Sequence, residues 1–152
     1  MSVFAQLEME LKQALLDRQA ATVEVLKLLK SDILLAVKQT NQTRPTDKLC
    51  RDFIYKHLKN YQEALVFYKQ NGHISKAEAK QLDIEILNRL LPPQLTDTEI
   101  ENVVNNYLNK TNHEIIMSNF KILLEELMIE TDGQASQSQI AQKLKVKLST
   151  NV

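Results

Sequence analysis

The chain is poor in the residues that make tight turns, disulfides and large aromatic cores. Its 152 residues include two glycines, three prolines, one cysteine and no tryptophan, and aromatic residues make up 5% of the total. So few glycines and prolines argue against a β-rich fold with many turns. A single cysteine excludes an internal disulfide and indicates a reducing compartment. We interpret Cys50 as a structural residue, because no catalytic pattern surrounds it.

The chain also lacks an excess of either charge and any long apolar run. Nineteen basic residues balance nineteen acidic ones, so no global charge draws the chain toward nucleic acid or a membrane. No apolar run approaches the roughly 20 residues of a membrane span, and the N-terminus is too polar for a secretory signal. We therefore predict a cytoplasmic protein with no membrane partner, or an organellar matrix protein if the source is eukaryotic.

Apolar residues at helical spacing, by contrast, occur almost throughout the chain. Leu, Lys, Gln, Glu and Ala dominate and favour helices, which predicts an all-α fold. The spacing leaves open whether residues 4–37 form two helices or one bent helix. Steps of three and four predict core stripes at Phe4, Leu7, Leu11 and Leu15; Thr22, Leu26, Leu29, Ile33 and Val37; Ile54, Leu58, Tyr61, Leu65 and Tyr68; Leu82, Ile86 and Leu90 beside Ile84, Leu87 and Leu91; Ile100, Val103, Val104, Tyr107 and Leu108; Ile116, Phe120, Leu123 and Leu127; Ile140, Leu144 and Leu148.

The strongest break in the helical pattern is the double proline Pro92-Pro93. Neither residue can continue the helix that closes before it, and Thr96 with Glu99 then has capping-box spacing. We therefore predict that Pro92 and Pro93 form the joint between two helical bodies. Further predicted helix starts and stops are Thr46-Asp47, Asn71-Gly72, Ser75 with Glu78, Thr111 with Glu114, Gly133, and Ser136 with Gln139.

Candidate catalytic and metal-binding residues are sparse. The three histidines, His57, His73 and His113, lie on different predicted elements, and none has a second ligand three or four residues away. We therefore predict no metal site and no cofactor. We expect His57 to be solvated, and Glu125 and Glu126 to lie on a solvated helix face. Nucleophile elbows and glycine-rich phosphate loops are also missing from the sequence, so we predict no catalytic residue.

Positive charge is concentrated toward the N-terminal part. Residues 1–95 hold 14 basic and 11 acidic side chains, whereas residues 96–152 hold 5 and 8. Lys27 and Lys30 share a helix face, as do Lys143 and Lys147, so these four residues are candidate phosphate contacts. The alternative for the first pair is an ordinary solvated face. For the second pair, the alternative is compensation of the helix dipole near a C-terminus.

Residues 71–99, NGHISKAEAKQLDIEILNRLLPPQLTDTE, carry the clearest resemblance to a known family. They resemble the GatB/YqeY pattern E-L-x-I-L-x-x-Y-L-P-x-Q-L-[ST]-x-x-E. Its positions are matched by Ile86, Leu87, Leu91, Pro92, Gln94, Leu95 and Glu99. Members of this family are similar to the C-terminal tail of the GatB component of aspartyl/glutamyl-tRNA amidotransferase. The resemblance implies a four-helix bundle over residues 1–92 and a three-helix bundle over residues 93–152.

The resemblance also implies a function. It points to a non-catalytic role ancillary to glutamine-dependent tRNA amidotransfer, a carbon–nitrogen ligase reaction with glutamine as amido-N-donor, and to tRNA or an amidotransferase subunit as partner. At family positions that are basic and contact tRNA, however, this chain has Ile129, Asp132 and Gln134. Residues 96–135 hold two basic and eight acidic side chains, a charge that repels phosphate. A protein–protein adaptor that has lost tRNA contact is therefore the alternative hypothesis.

Overall fold

Helix-forming residues dominate the chain, and its computed structural model, which describes residues 2–150, contains only helices and connecting turns in that range. The predicted all-α class is confirmed. The chain divides into two units, Met1–Leu91 and Pro92–Val152, so the boundary falls directly before the double proline. Within residues 2–150, no helix combines the length and the apolar character needed to cross a membrane.

The first unit contains four helices, α1 (Val3–Leu16), α2 (Ala20–Gln39), α3 (Asp47–Gln70) and α4 (Ile74–Asn88). Helices α1 and α2 are separate, which the sequence left open. Arg18 ends α1 in the left-handed region, with φ of +55°. The N–H groups of Arg18 and Gln19 donate back to the carbonyls of Leu15 and Ala14, a Schellman motif that satisfies the last turn of the helix.

Helix α3, the longest, begins and ends where the sequence predicts. The Thr46 hydroxyl accepts a hydrogen bond from the N–H of Leu49 at 3.1 Å and caps the first turn. At the other end Gly72 has φ of +70°, a conformation that glycine adopts without steric cost. The N–H of His73 then reaches the carbonyl of Tyr68 at 2.9 Å and closes the helix.

This closing turn also fixes the start of α4, and it overturns one prediction. The chain enters α4 at Ile74, and His73 is the N-cap without a side-chain capping bond. The predicted capping box of Ser75 and Glu78 is therefore wrong, because Ser75 lies inside the helix and is not its N-cap.

Most of the predicted stripes form the core of the first unit. Leu26, Leu29 and Ile33 on α2 are fully buried, and complete burial of such a side chain stabilises the fold by about 1.5–3 kcal/mol. Leu15 and Leu82 were predicted as core residues but are 53% and 48% exposed. Ala14 takes the core position on α1, whereas the predicted residues Ile84, Ile86 and Leu87 of α4 are buried.

The second unit contains α5 (Asp97–Lys110), a 3₁₀ turn (Met117–Asn119), α6 (Phe120–Thr131) and α7 (Gln137–Thr150). Both capping boxes predicted here are confirmed. Thr96 and Glu99 exchange hydrogen bonds of 3.0 and 3.2 Å at the start of α5. Ser136 and Gln139 do the same at 2.9 and 3.2 Å before α7. The core shared by the three helices is Ile100, Val104, Leu108, Leu123, Leu124, Leu127, Ala135, Ile140, Leu144 and Leu148.

The predicted helix start at Thr111 and Glu114 is wrong. Thr111 is instead the C-cap of α5, with extended backbone, and its hydroxyl accepts a hydrogen bond from the N–H of His113 at 3.2 Å. The chain then passes through the 3₁₀ turn, and α6 begins only at Phe120. Ile116 therefore lies outside the helix and is 44% exposed.

The segment that follows the double proline is bonded to its own unit. The Gln94 side-chain amide donates to the carbonyls of Pro92 and Gly133, both at 2.9 Å. The N–H of Leu95 donates to the carbonyl of Gln134 at 2.8 Å. Residues 92–95 are thereby attached to the turn between α6 and α7, although they have no helical structure themselves.

Candidate binding surfaces

Lys27 and Lys30 lie on α2 of the first unit, and they differ in their surroundings. Lys27 is exposed and has no ion pair within residues 2–150. The ammonium group of Lys30 lies 3.3 Å from the carboxylate of Glu8 on α1. Lys30 therefore joins two helices of its own unit, whereas Lys27 has no ion-pair partner among residues 2–150.

Lys143 and Lys147 lie on α7 of the second unit, and both are paired with carboxylates of α5. Lys143 Nζ donates to Asp97 at 2.8 Å, and Lys147 Nζ lies 3.7 Å from Glu101. The hydrogen bond to Asp97 raises the pKa of Lys143 above its ordinary value. Pairs this exposed add little to stability, but they reduce the positive potential that these lysines would offer to a phosphate.

Helix α6 has a second apolar side that the core does not use. Ile122 and Ile129 are 40% and 78% exposed, and they lie seven residues apart on one side of the helix. Glu125 and Glu130 are also exposed, and neither forms an ion pair in the described part of the chain. We call these four residues the acidic–apolar face of α6. The opposite side of the helix contributes Leu123, Leu124, Leu127 and Thr131 to the interior.

Glu126, next to this face, is held by two polar neighbours. The Tyr107 hydroxyl donates to one carboxylate oxygen, and the His113 ring lies 3.0 Å from the other. These hydrogen bonds lower the pKa of Glu126, while burial and the bond to Glu126 raise the pKa of Tyr107. The expectation of a solvated face is confirmed for Glu125, which is exposed. The Glu126 side chain is also 41% exposed, and in addition it bridges α5 and the following loop.

His57 is buried, so the expectation that it is solvated is wrong. It lies on α3 with 6% of its surface exposed, and its Nε2 is 2.7 Å from Asp32 Oδ2 on α2. A carboxylate can only accept a hydrogen bond, so Nε2 carries the proton. The carboxylate side chain is itself 40% exposed, which places this pair at the margin of the core.

The same margin includes three further polar side chains from α3 and α4. The Tyr61 ring packs edge-on against His57 at 6.1 Å, and Lys80 lies 4.2 Å from the centre of the Tyr61 ring. Lys80 also pairs with Asp83 at 3.2 Å. Burial, with the carboxylates of Asp83 and Asp32, raises the pKa of Tyr61. These contacts tie three helices together.

A shallow apolar cavity of about 340 Å³ lies where α3 ends and α4 begins. Ile74 at its edge is 72% exposed. The cavity therefore offers apolar surface on the first unit, with few polar groups to orient a small ligand. Its lining residues are Leu65, Tyr68, Lys69, Gly72, Ile74, Ala77, Glu78 and Gln81.

The single thiol is chemically inert in this fold. Cys50 is fully buried in the core of the first unit, and burial, with a contribution from Asp47, raises its pKa to about 11. Because the thiolate is the nucleophilic form, Cys50 is unreactive at neutral pH. Within residues 2–150, His, Cys, Asp and Glu side chains form no group of three or more that could hold a metal ion.

Comparison with known proteins adds one finding. The sequence model of the family described as YqeY-like protein matches residues 4–148, nearly the whole chain. The chain belongs to the YqeY-like family. The resemblance, clearest in residues 71–99, is thereby confirmed, and the match covers both units. No curated protein matches the chain.

In this YqeY-like chain, the sequence singled out the four lysines but missed the buried His57–Asp32 pair and the Tyr107–Glu126 contact. Asp32 and His57 are 25 residues apart, and Tyr107 and Glu126 are 19 apart. Periodicity within one helix carries no information about such partners. The lysines also belong to different units, with Lys27 and Lys30 in the first and Lys143 and Lys147 in the second.

Proposed function

We propose that this YqeY-like protein is a non-catalytic adaptor that binds a protein partner in glutamine-dependent tRNA amidotransfer and does not itself contact tRNA. The observation that carries the proposal is the pairing of Lys30, Lys143 and Lys147 with carboxylates of their own units. The partner class, an amidotransferase subunit, comes from the family resemblance.

The paired lysines weigh against RNA for a physical reason. Proteins gain most of their affinity for nucleic acid by neutralising phosphates and releasing counterions. A lysine that already lies against a carboxylate must break that pair before it can do so. In the second unit, residues 96–135 hold two basic and eight acidic side chains, and Ile129 and Asp132 occupy positions that are basic in the family. Such a surface repels phosphate and attracts a basic partner.

The chemistry of the described side chains supports a binding role over catalysis. The thiol of Cys50 has a pKa of about 11 and is fully buried. The imidazole of His57 is 6% exposed and already bonded to Asp32. A nucleophile or general base has to reach its substrate, and neither group is placed to do so.

The test measures binding of the full chain to purified glutamine-dependent tRNA amidotransferase from the same source, by isothermal titration at about 100 mM salt. We expect saturable binding. Absence of binding to the enzyme, together with saturable tRNA binding, would overturn the proposal.

Lys27→Glu is the variant that tests for tRNA binding. Lys59→Glu is its control, because it makes the same charge change at another exposed lysine of the first unit.

Direct tRNA binding is the second candidate function. It is favoured by Lys27, whose exposed ammonium group has no ion pair within residues 2–150. If this candidate is correct, tRNA affinity falls steeply between about 50 and 200 mM salt. Lys27→Glu then weakens binding more than Lys59→Glu does.

A further inference from the structure

Helix α6 has apolar side chains on two opposite sides, although only one side faces the core. A helix that is apolar all round is normally buried, and exposed apolar residues rimmed by polar ones mark interaction sites. Ile129, 78% exposed, and Ile122, 40% exposed, form the outer apolar line. Seven residues of helix place them about 10.5 Å apart along the axis. This is the i,i+7 spacing, two helical turns, that recurs among the apolar residues of an amphipathic partner helix.

The charged residues on both edges of this line are glutamates, apart from one lysine at the N-terminal end of α6. At 100° per residue, Glu125 projects to one edge of the Ile122–Ile129 line and Glu130 projects to the other. Both carboxylates are exposed and lack an ion pair in the described part of the chain. Glu126, between them in sequence, is already bonded to Tyr107 and His113. One cation, Lys121, lies on the Glu125 side, at the N-terminal end of α6.

We propose that the acidic–apolar face of α6 binds a basic amphipathic helix of a partner protein. The partner's apolar residues would cover Ile122 and Ile129, and its lysines or arginines would pair with Glu125 and Glu130. This inference rests on the proposed adaptor function and adds the chemistry and the location of the partner site. A second copy of this chain fits poorly, because apposing two α6 faces sets carboxylate against carboxylate.

The test uses the full chain and a fluorescein-labelled synthetic helical peptide of 18 residues. The peptide has leucines at steps of three and four, with lysine and arginine on both flanks. Its matched control has the same leucines with glutamate in place of every cation. Fluorescence anisotropy at about 100 mM salt should show saturable binding of the basic peptide only. Binding of both peptides, or of neither, would overturn the inference.

Variants of the face locate the site. Glu125→Lys/Glu130→Lys should weaken binding of the basic peptide at least tenfold, and Ile129→Ser should weaken it about fivefold. Val146→Ser is the control for Ile129→Ser, and Glu114→Lys is the control for the single variant Glu130→Lys, which makes the same charge change. Both control residues are exposed in the same unit. We expect the two control variants to leave the affinity within twofold. Equal losses of affinity in control and face variants would overturn the inference, because the affinity of the peptide would then not depend on the α6 face.

Two further measurements separate the alternatives. Sedimentation equilibrium should show a monomer at the concentrations used, and a dimer that Ile129→Ser dissociates would assign the face to a second copy and overturn the inference. If the peptide does not bind while the amidotransferase does, this inference fails and the proposed adaptor function stands. If tRNA binds and the enzyme does not, the proposed function fails and this inference, which rests on it, fails too.

Discussion

Replacing His57 with alanine should destabilise the first unit by about 2–3 kcal/mol, near the lower end of the cost of large-to-small core substitutions. The imidazole is 6% exposed, so its removal deletes buried ring atoms and leaves a cavity. The lost hydrogen bond to Asp32 contributes only about 1 kcal/mol of this, because water competes for a partly exposed carboxylate. The Asp32 side chain is 40% exposed.

Replacing Asp32 with alanine should cost about 1–2 kcal/mol, the usual penalty for leaving a buried donor unsatisfied. The two substitutions should not be additive. Once the ring of His57 is gone, no buried N–H remains to be left without a partner. The double variant should therefore be more stable than the sum of the single costs predicts, by about 1 kcal/mol.

Cys50 provides an assay that reports on the first unit alone. It is the only cysteine of the chain and is fully buried in that unit's core. A thiol reagent therefore reacts with the native protein at a rate set by opening of the unit. The ratio of this rate to the rate in urea-unfolded protein gives the free energy of opening. A circular dichroism signal would combine the unfolding of both units, which need not unfold together.

Asp52→Ala is the control, because this exposed carboxylate lies on the same helix as His57. It should change the free energy of opening by less than about 0.5 kcal/mol. The reasoning would be refuted if His57→Ala cost no more than this control. Full additivity of the two single changes would also refute it, since the structure shows direct contact between the two side chains.

Three further predictions concern packing, pH and a tyrosine. Leu29→Ala, at a fully buried position, should cost about 2–5 kcal/mol in the Cys50 assay, whereas Leu28→Ala next to it, 53% exposed, should cost under about 1 kcal/mol. The N–H and hydroxyl of Thr96 lower the pKa of Glu99 below its ordinary value of 4.5. The stability that Glu99 adds is thus present at neutral pH and is lost as pH falls through the lowered value. Hydrogen exchange of the backbone amides in the second unit should show Glu99→Gln less stable than the parent at pH 7, with the difference vanishing in acid. Spectrophotometric titration, compared with Tyr107→Phe, should show Tyr107 ionising above its ordinary pKa of 10.0, and Glu126→Gln should remove part of that shift but not the part due to burial.

The sequence predicts those features that depend on neighbours along the chain. The capping boxes at Thr96–Glu99 and Ser136–Gln139 and the glycine stop at Gly72 are each set by residues within one helical turn. Such signals use the short-range chemistry of unsatisfied N–H and C=O groups at helix ends. They were sufficient to give the all-α class.

Predictions failed where a residue's surroundings come from elsewhere in the chain. Ser75 has the sequence pattern of a helix cap, but α4 already begins at Ile74, directly after the turn at Gly72. Thr111 looks like another cap, but its hydroxyl serves the N–H of His113. His57 looks solvated, because spacing within α3 shows neither its burial nor its partner Asp32 on another helix.

The candidate binding residues show the same difference between features set by chain neighbours and contacts made by distant residues. Spacing correctly puts Lys143 and Lys147 on one side of α7, but it cannot show that Asp97 and Glu101 on α5 lie opposite them. The pairs change the interpretation of these lysines from phosphate contacts toward links between two helices. The acidic–apolar face of α6 was also hidden, because an apolar residue in a helix is by default assigned to the core. Only the exposed fraction of Ile129 separates the two roles.

Electrophoretic mobility shift with bulk tRNA tests the central claim most directly. The claim is that the second unit offers a surface for protein and not for RNA. At about 50 mM salt, where phosphate contacts are strongest, we expect no saturable shift, and no change when Lys143→Glu/Lys147→Glu replaces the parent chain. A saturable shift that weakens toward about 200 mM salt and drops in that double variant would contradict the account.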